Sequence, residues 1–211
     1  MIKKLLFTAF VTFIAASASA QFKAGDQFIG PTLSFGSSKT ENGSTQSKAN
    51  NFNASIDFVS FTTARKAWGA RIGYSGSKIE YIQPSSEQKT NGMMANVFLK
   101  NYVGFFQKFY AAVEYGVGYR QSFNKTTSLG FESKSTTNGA MVYLSPSIGA
   151  RLNKRLLLEA SLANFAALSY EKTKPSGSNA GSTTETFGFY SSNSLGNFFS
   201  NVGLGLKIQL N

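Results

Sequence analysis

The sequence predicts an all-β fold: an eight-stranded antiparallel transmembrane β-barrel with both termini on the same side of the membrane. Three observations lead to this prediction. Apolar and polar residues alternate in strand-length segments, the links between these segments alternate between long and short, and the N-terminus looks secretory. Composition agrees, because 20 glycines, only 4 prolines and 14% aromatic residues favour strands and turns over helices.

The first twenty residues have the pattern of a signal peptide. Lys3 and Lys4 form a positive start, residues 5–16 are mostly apolar, and Ala18-Ser19-Ala20 supplies the small residues of a cleavage site. The apolar part is too short to cross a bilayer as a helix. We therefore expect residues 1–20 to be removed and residues 21–211 to form one barrel domain.

The alternation is clearest in residues 109–120. Phe109 and the odd positions after it are apolar or aromatic, whereas the even positions include Glu114, Arg120 and two glycines. A period of two places successive side chains on opposite faces of a strand, and a membrane barrel needs an apolar outer face. The same alternation predicts eight strands, at about residues 27–36, 51–61, 68–74, 94–102, 109–120, 140–151, 156–170 and 198–210.

The links between these strands are sorted by length. Residues 37–50, 75–92, 122–139 and 171–197 are long and rich in Ser, Thr, Asn, Gly and Lys, whereas residues 62–67, 103–108 and 152–155 are short. Outer-membrane barrels have long loops outside the cell and tight turns in the periplasm. We therefore expect periplasmic N- and C-termini and four extracellular loops.

The positive charge of the chain, formally +11, is spread in a way that suits a membrane. The short links contain basic residues and no acidic ones, which suits contact with phospholipid headgroups. Aromatic residues cluster near strand ends, as in the girdles of membrane barrels. Nucleic-acid binding would need the basic residues to be gathered in one patch with stacking aromatics. Here the excess positive charge is instead spread over the short links, so the distribution argues against nucleic-acid binding. The basic residues of the short links are Arg65, Lys66, Lys108, Lys154 and Arg155.

Charged residues also recur on the polar faces of the predicted strands. They either line a narrow ion path or pair with one another, and the small interior of an eight-stranded barrel favours pairing. Lys100 and Glu114 lie on neighbouring predicted strands, within one diagonal step of each other. The predicted interior polar network comprises Asp57, Arg71, Lys100, Glu114, Arg120, Arg151, Glu159 and Lys207.

Two segments add a family resemblance. Residues 98–102 read Phe-Leu-Lys-Asn-Tyr, and residues 203–211 form an alternating last strand. With the signal peptide and the strand pattern, they make residues 21–211 resemble the small eight-stranded outer-membrane barrels of the OmpA/OmpX kind, in the porin-like outer membrane protein beta-barrel domain family. Such proteins often have Phe-x-Arg-Tyr-Tyr at the first segment. Many also end in an aromatic residue that helps the insertion machinery, whereas this chain ends Leu210-Asn211.

The resemblance implies a monomer in the outer membrane of a Gram-negative bacterium. Its partners would be outer-membrane lipid, the barrel-insertion machinery and an extracellular ligand of unknown identity. The implied role is structural, surface-interacting or adhesin-like, through the long extracellular loops. A narrow porin-like channel for small solutes or ions is the alternative, and a lipid A-modifying enzyme is a third, weaker one.

The residue types limit the chemistry. With no His and no Cys, the chain cannot form a Ser–His pair, a His metal ligand or a thiolate. The glutamates of the predicted loops lack the spacing of a calcium-binding loop. We therefore expect no catalytic residue, no metal site, no cofactor and no nucleic-acid partner.

Overall fold

The computed structural model describes residues 22–42, 45–82, 85–105, 108–162, 165–176, 182–191 and 202–210. The predicted signal peptide lies outside these residues. Among the described residues no helix is long and apolar enough to cross a membrane. Within the described ranges the chain forms ten strands: β1 (Gln27–Asn42), β2 (Thr45–Phe61), β3 (Lys66–Tyr81), β4 (Ser86–Phe105), β5 (Phe109–Ser128), β6 (Phe131–Asn153), β7 (Leu156–Leu162), β8 (Ala166–Ser176), β9 (Thr184–Ser191) and β10 (Val202–Leu210).

Antiparallel pairing closes the sheet into a ring. The order around the ring is β1, β2, β3, β4, β5, β6, β7 and β10, and β10 pairs back with β1 from Gln27–Leu210 to Leu33–Leu204. A closed ring satisfies the backbone hydrogen bonds of each strand within the sheet, as hydrocarbon requires. The predicted eight-stranded antiparallel barrel is confirmed, with β7 and β8 together forming the seventh predicted strand.

Side chains alternate between the inside and the outside of the ring. In β4, Phe98 and Lys100 are buried, whereas Val97 is exposed. Val97 lies opposite Val117 in β5, which lies opposite Val142 in β6, and all three are more than half exposed. Together with the other outward apolar residues they form a continuous surface, here called the apolar belt. A surface of this extent suits hydrocarbon better than water.

The apolar belt is tall enough to cross a bilayer core. In β5 it extends from Phe109 to Tyr119, both about half exposed. At about 3.3 Å per residue this is roughly 33 Å along the strand, or about 25 Å along the barrel axis at a strand tilt of about 40°. Aromatic pairs such as Phe58–Trp68, with ring centroids 5.6 Å apart, lie at its edge as predicted for a girdle.

The two ends of the barrel differ. Connections 62–65, 106–108 and 154–155 join strands at the turn end, where the described residues Phe22 and Leu210 also lie. Connections 43–44, 82–85 and 129–130 join strands at the opposite hairpin end. Strand pairing extends to Asn42–Thr45, Tyr81–Ser86 and Ser128–Phe131. The prediction of long loops for the first three long links is therefore wrong, because most of each link consists of paired strands that form an extended hairpin. Polar residues cover both of their faces, so alternation does not reveal them.

The fourth predicted loop, residues 171–197, also contains strands. β8 continues to Ser176, and β9 pairs with β8 from Thr173–Thr184 to Ala166–Ser191. The signal for β9 was the alternation of exposed Phe187 and Phe189 with Gly188, within a segment rich in Ser and Thr. Residues 177–181 and 192–201 lie outside the described residues.

Inward-facing glycines make room for large inward side chains on neighbouring strands. A methyl group at Gly69 would overlap the ring of Phe98, and one at Gly149 would overlap the ring of Tyr110. Each strand therefore looks small and polar on its inner face, while the interior is filled by pairing small residues with large ones across strands. The inward charged residues share this filled interior and therefore lie close to one another.

Candidate functional site

Six of the eight charged residues predicted to face the interior meet in one place, nearer the turn end than the hairpin end. The side chains of five are only 1–5% exposed, and that of Arg71 is 14% exposed. Three are cations and three are carboxylates, so the cluster is neutral when all six are ionised. We call it the charge ring: Asp57, Arg71, Glu114, Lys100, Glu159 and Lys207.

Arg71 in β3 joins a carboxylate from the neighbouring strand β2 and one from β5, two strands away on the other side. Asp57 lies directly opposite Arg71 in the β2–β3 ladder, and Arg71 Nε donates to Asp57 Oδ1 at 2.7 Å and Nη2 to Oδ2 at 3.0 Å. Arg71 Nη1 and Nη2 also donate to Glu114 Oε1 and Oε2 at 2.8 and 3.1 Å. The planar guanidinium thus forms a two-point contact with each carboxylate, the strong geometry for such pairs.

Two lysines complete the ring across the lumen. Lys100 Nζ lies 2.6 Å from Glu159 Oε1 and 3.7 Å from Glu114 Oε2. Lys207 Nζ lies 3.1 Å from the same Glu159 oxygen and 3.4 Å from Asp57 Oδ2. The charges therefore alternate in sign around a closed circuit, in which each residue contacts two of opposite charge. The circuit connects β2, β3, β4, β5, β7 and β10.

Hydroxyl groups add further hydrogen bonds to the three carboxylates, and one of them reaches Glu159 Oε2, the oxygen to which Lys100 and Lys207 do not donate. Tyr143 donates to Glu114 Oε1 at 2.9 Å, and Tyr110 donates to Glu159 Oε2 at 3.2 Å. Thr32 donates to Asp57 Oδ2 at 3.1 Å. Sequence analysis missed these partners because it searched for charges, although Tyr110 and Tyr143 occupy inward positions of the alternation.

Two predicted members of the network lie elsewhere, and their assignment is corrected. Arg120 pairs with Glu171 toward the hairpin end, and its side chain is 45% exposed. Arg151 lies at the turn end, where it donates to the carbonyl of Lys154 at 2.8 Å and to Gln209 Oε1 at 3.2 Å. Both residues occupy inward positions of the strand alternation, as the ring residues do, but they lie at different distances along the barrel axis. Alternation predicts which face a side chain is on and not where it lies along the axis.

The predicted register of Lys100 and Glu114 is also corrected. They lie directly opposite each other, with Phe105 opposite Phe109 beyond them. The prediction placed them one diagonal step apart because it ended the strands at residue 102 and left a longer turn. β4 continues to Phe105, and the turn comprises only residues 106–108.

An aromatic cluster fills the lumen between the charge ring and the turn end. Phe22 stacks on Phe61, with ring centroids 4.2 Å apart, and all its members are at most 3% exposed. The chain reaches this position through a turn at Gly25, whose φ of 90° favours glycine and whose amide donates to the Phe61 carbonyl at 2.8 Å. We call this cluster the aromatic plug: Phe22, Phe28, Phe61, Tyr102 and Tyr110.

The charge ring and the aromatic plug together occupy the half of the lumen nearer the turn end. An eight-stranded barrel has an interior just wide enough for side chains. The ion pairs are retained there because a buried charge is tolerated only when it is paired, and a complete network satisfies every member. The arrangement supports pairing, the second of the two interpretations open at the sequence level, over a hydrated ion path.

The described residues contain no cluster of three or more Asp, Glu, His or Cys side chains suited to a metal ion. The carboxylates of the charge ring instead accept from lysine, arginine and hydroxyl donors. With its carboxylates engaged in this way, the ring's evident chemical role is structural.

Comparison with known proteins identifies the fold. No known family profile matches the sequence, and no curated protein matches it. Solved structures do. The outer membrane protein OprG from Pseudomonas aeruginosa aligns with a TM-score of 0.51 and 14% identity, over 91% of this chain and 99% of that one. The chain has the fold of a small outer-membrane β-barrel protein.

Two further structures are similar. A major outer membrane protein from Thermus thermophilus aligns with a TM-score of 0.50 and 8% identity, over 88% of this chain and 99% of that one. Neisserial surface protein A aligns with a TM-score of 0.45 and 11% identity, over 88% and 97%. The alignments with OprG and the Thermus thermophilus protein confirm the outer-membrane barrel fold implied by the family resemblance, and this fold supports the predicted outer-membrane location.

The charge ring makes a testable prediction about stability. Glu114→Ala removes a carboxylate that contacts Arg71, Lys100 and Tyr143, and leaves excess positive charge buried. We expect this variant to lose about 3–5 kcal/mol of unfolding free energy, measured by urea denaturation in lipid vesicles.

The matched control is Glu185→Ala. Glu185 pairs with Lys172 at 2.7 Å on the exposed surface of β8 and β9, where such pairs contribute little. Equal unfolding midpoints for Glu114→Ala and the unmodified protein would mean that water reaches Glu114 and that the interior is not sealed.

Proposed function

We propose that this protein is a non-conducting outer-membrane barrel that holds rigid strand hairpins at the cell surface for contact with partners. The observation that carries the proposal is the charge ring, because its six mutually paired side chains come from six of the eight strands around the ring and are only 1–14% exposed. A barrel filled in this way serves as an anchor. The parts available for interaction are then the hairpins beyond the apolar belt.

Between β4 and β5, strand pairing continues from the barrel wall into the hairpin end without a break. β4 and β5 stay paired from Phe105–Phe109 at the turn end to Ser86–Ser128 at the hairpin end. The apolar outer face ends near Met93 in β4, about seven residues before the strand does, which corresponds to roughly 23 Å of strand. Continuous pairing restricts the movement of these segments, so they bind with less loss of conformational entropy than loops do.

The β5–β6 hairpin has an apolar tip. Leu129 and Phe131 are 79% and 82% exposed, among the most exposed large hydrophobic residues described. Leu129 has a φ of 49°, which is unfavourable for a branched side chain and common for Asn or Gly. An exposed apolar residue at a locally costly position is a reason to regard this tip as a contact point.

The two other functions considered from the sequence have less support. A narrow channel needs a continuous water path, whereas the charge ring and the aromatic plug occupy the lumen in series. An enzyme needs an activated nucleophile, and the chain has neither His nor Cys to provide or activate one in the usual pairs. We therefore propose no catalytic role.

Planar bilayer recording tests the closed interior. We expect purified protein, folded in detergent and inserted into the bilayer, to give no steady unitary current at any applied voltage. Folding of the same sample is checked on SDS gels, where a closed barrel migrates differently before and after boiling. A reproducible single-channel conductance from the folded form would contradict the proposal and favour the channel.

Labelling of intact cells tests which end is displayed. The chain has no native Cys, so Ser85→Cys at the hairpin end and Thr63→Cys at the turn end can be compared without background. Both positions are exposed and carry a small hydroxyl side chain. We expect an impermeant maleimide to label residue 85 only. Labelling of residue 63 alone would place the hairpins in the periplasm and end the proposal of surface display.

A further inference from the structure

Four lysines lie in one row across the hairpin end of the barrel. Lys78 in β3 is directly opposite Lys89 in β4, Lys89 is opposite Lys125 in β5, and Lys125 is opposite Lys134 in β6. Like charges placed directly across neighbouring strands destabilise a sheet. A run of three such pairs on four adjacent strands is therefore a feature that sheet stability alone does not favour. We call these four residues the lysine row.

The lysine row faces outward, just beyond the apolar belt. Lys78 is four residues from Tyr74, and Lys89 is four residues from Met93, two outward side chains about half exposed. Four residues span roughly 13 Å along a strand, or about 10 Å along the axis of a tilted barrel. Lysine side chains reach several ångströms toward a membrane surface, so the row lies within reach of the headgroup layer.

Carboxylates accompany the row, but only on its far side. Glu80, Glu87 and Glu132 occupy the next outward positions toward the hairpin tips. Lys78 Nζ lies 2.5 Å from Glu80 and 2.8 Å from Glu87, and Lys89 Nζ lies 2.7 Å from Glu87. Glu132 lies between Lys125 at 2.5 Å and Lys134 at 2.8 Å.

These carboxylates leave the membrane side of the row cationic. Hydrogen bonds from Lys78 and Lys89 lower the pKa of Glu87 to about 2, so it stays ionised at neutral pH. Even so, four ammonium groups face three carboxylates. The excess charge and the like-charge neighbours are both relieved by an anion that approaches from the belt side.

A groove lies directly below the first two lysines of the row. It has a volume of about 280 Å³ and sits over Gly76, where an added methyl group would meet only Asn91 Oδ1, at 3.6 Å. The ring of Phe52 forms part of its apolar wall, and Lys78 and Lys89 contribute to its lining. The groove therefore presents an apolar surface and ammonium groups together, at the edge of the apolar belt.

We propose that the lysine row and this groove bind a phosphate-bearing headgroup of a membrane lipid in the leaflet that surrounds the hairpin end. Charge complementarity selects the occupant, because along β3, β4 and β6 the lysines lie between the apolar belt and the carboxylates, so an anion in the headgroup layer meets the lysines first. The aromatic wall suits the upper part of the lipid's apolar portion. The proposal rests on the membrane placement given under Proposed function, but on neither the closed lumen nor surface display.

Lipid retention by the whole protein tests this site. Protein in detergent is mixed with phosphatidic acid, which carries a phosphomonoester, or with phosphatidylcholine, and bound lipid is measured by native mass spectrometry. We expect tighter binding of phosphatidic acid. The double variant Lys89→Gln/Lys125→Gln should bind it roughly 30-fold more weakly, because a lysine near an anionic surface contributes roughly a factor of five. Gly76→Val, which fills the groove, should also weaken binding.

The control variant is Lys39→Gln/Lys48→Gln. It removes two outward lysines that also lie directly opposite each other, in β1 and β2, outside the groove and the lysine row. We expect it to retain lipid like the unmodified protein. An equal loss in both double variants would reduce the effect to overall charge and overturn the site, as would unchanged binding in Lys89→Gln/Lys125→Gln.

Two further readouts separate the remaining explanations. Inorganic phosphate that displaces the lipid at equal concentration would assign the lysines to free phosphate and overturn the lipid proposal. Every variant is checked for the mobility change on boiling in SDS. A protein that folds normally but shows no preference for phosphatidic acid would contradict only the proposed lipid site. The proposed function is tested separately, by the conductance and cell-labelling experiments.

Discussion

Neutralisation of charge in a narrow interior is the constraint on which the rest of this barrel depends. Three cations and three carboxylates enter the lumen from six different strands, and each contacts two partners of opposite charge. Removing two charges from water costs more than a simple ion pair returns unless hydrogen bonds satisfy the remaining atoms. The tyrosine and threonine hydroxyls supply those bonds here. Because its members come from six strands, the network is complete only when all six strands are in register.

This constraint connects the inside of the barrel with its outside. Ring closure satisfies the backbone, the apolar belt matches the hydrocarbon, and the charge ring and the aromatic plug occupy the lumen near the turn end. The same filling allows the strands to continue as paired hairpins, because the anchored part of the sheet fixes their register. In this account the barrel positions surfaces, both at the hairpin tips and at the lysine row beside the headgroups.

Much of the architecture was predictable, because a membrane wall enforces a period of two. The faces of the strands, their number around the ring and six inward charges followed from alternation alone. Other features left no such signal. The hairpins are polar on both faces, Phe22 enters the plug from a turn before β1, and Arg120 and Arg151 differ from the ring residues only in height. The register of Lys100 and Glu114 depended on a turn of three residues, shorter than the sequence suggested.

The most direct test of the charge ring is a double-mutant cycle between two residues that face each other within it. Glu114→Gln and Lys100→Met each leave the ring with an unbalanced charge, whereas the double variant keeps Arg71 and Lys207 against Asp57 and Glu159. The account predicts that the double variant loses less unfolding free energy in vesicles than the two single losses added together, by about 1–3 kcal/mol. Strictly additive losses would show that the two residues act independently, which would contradict a closed ring of paired charges.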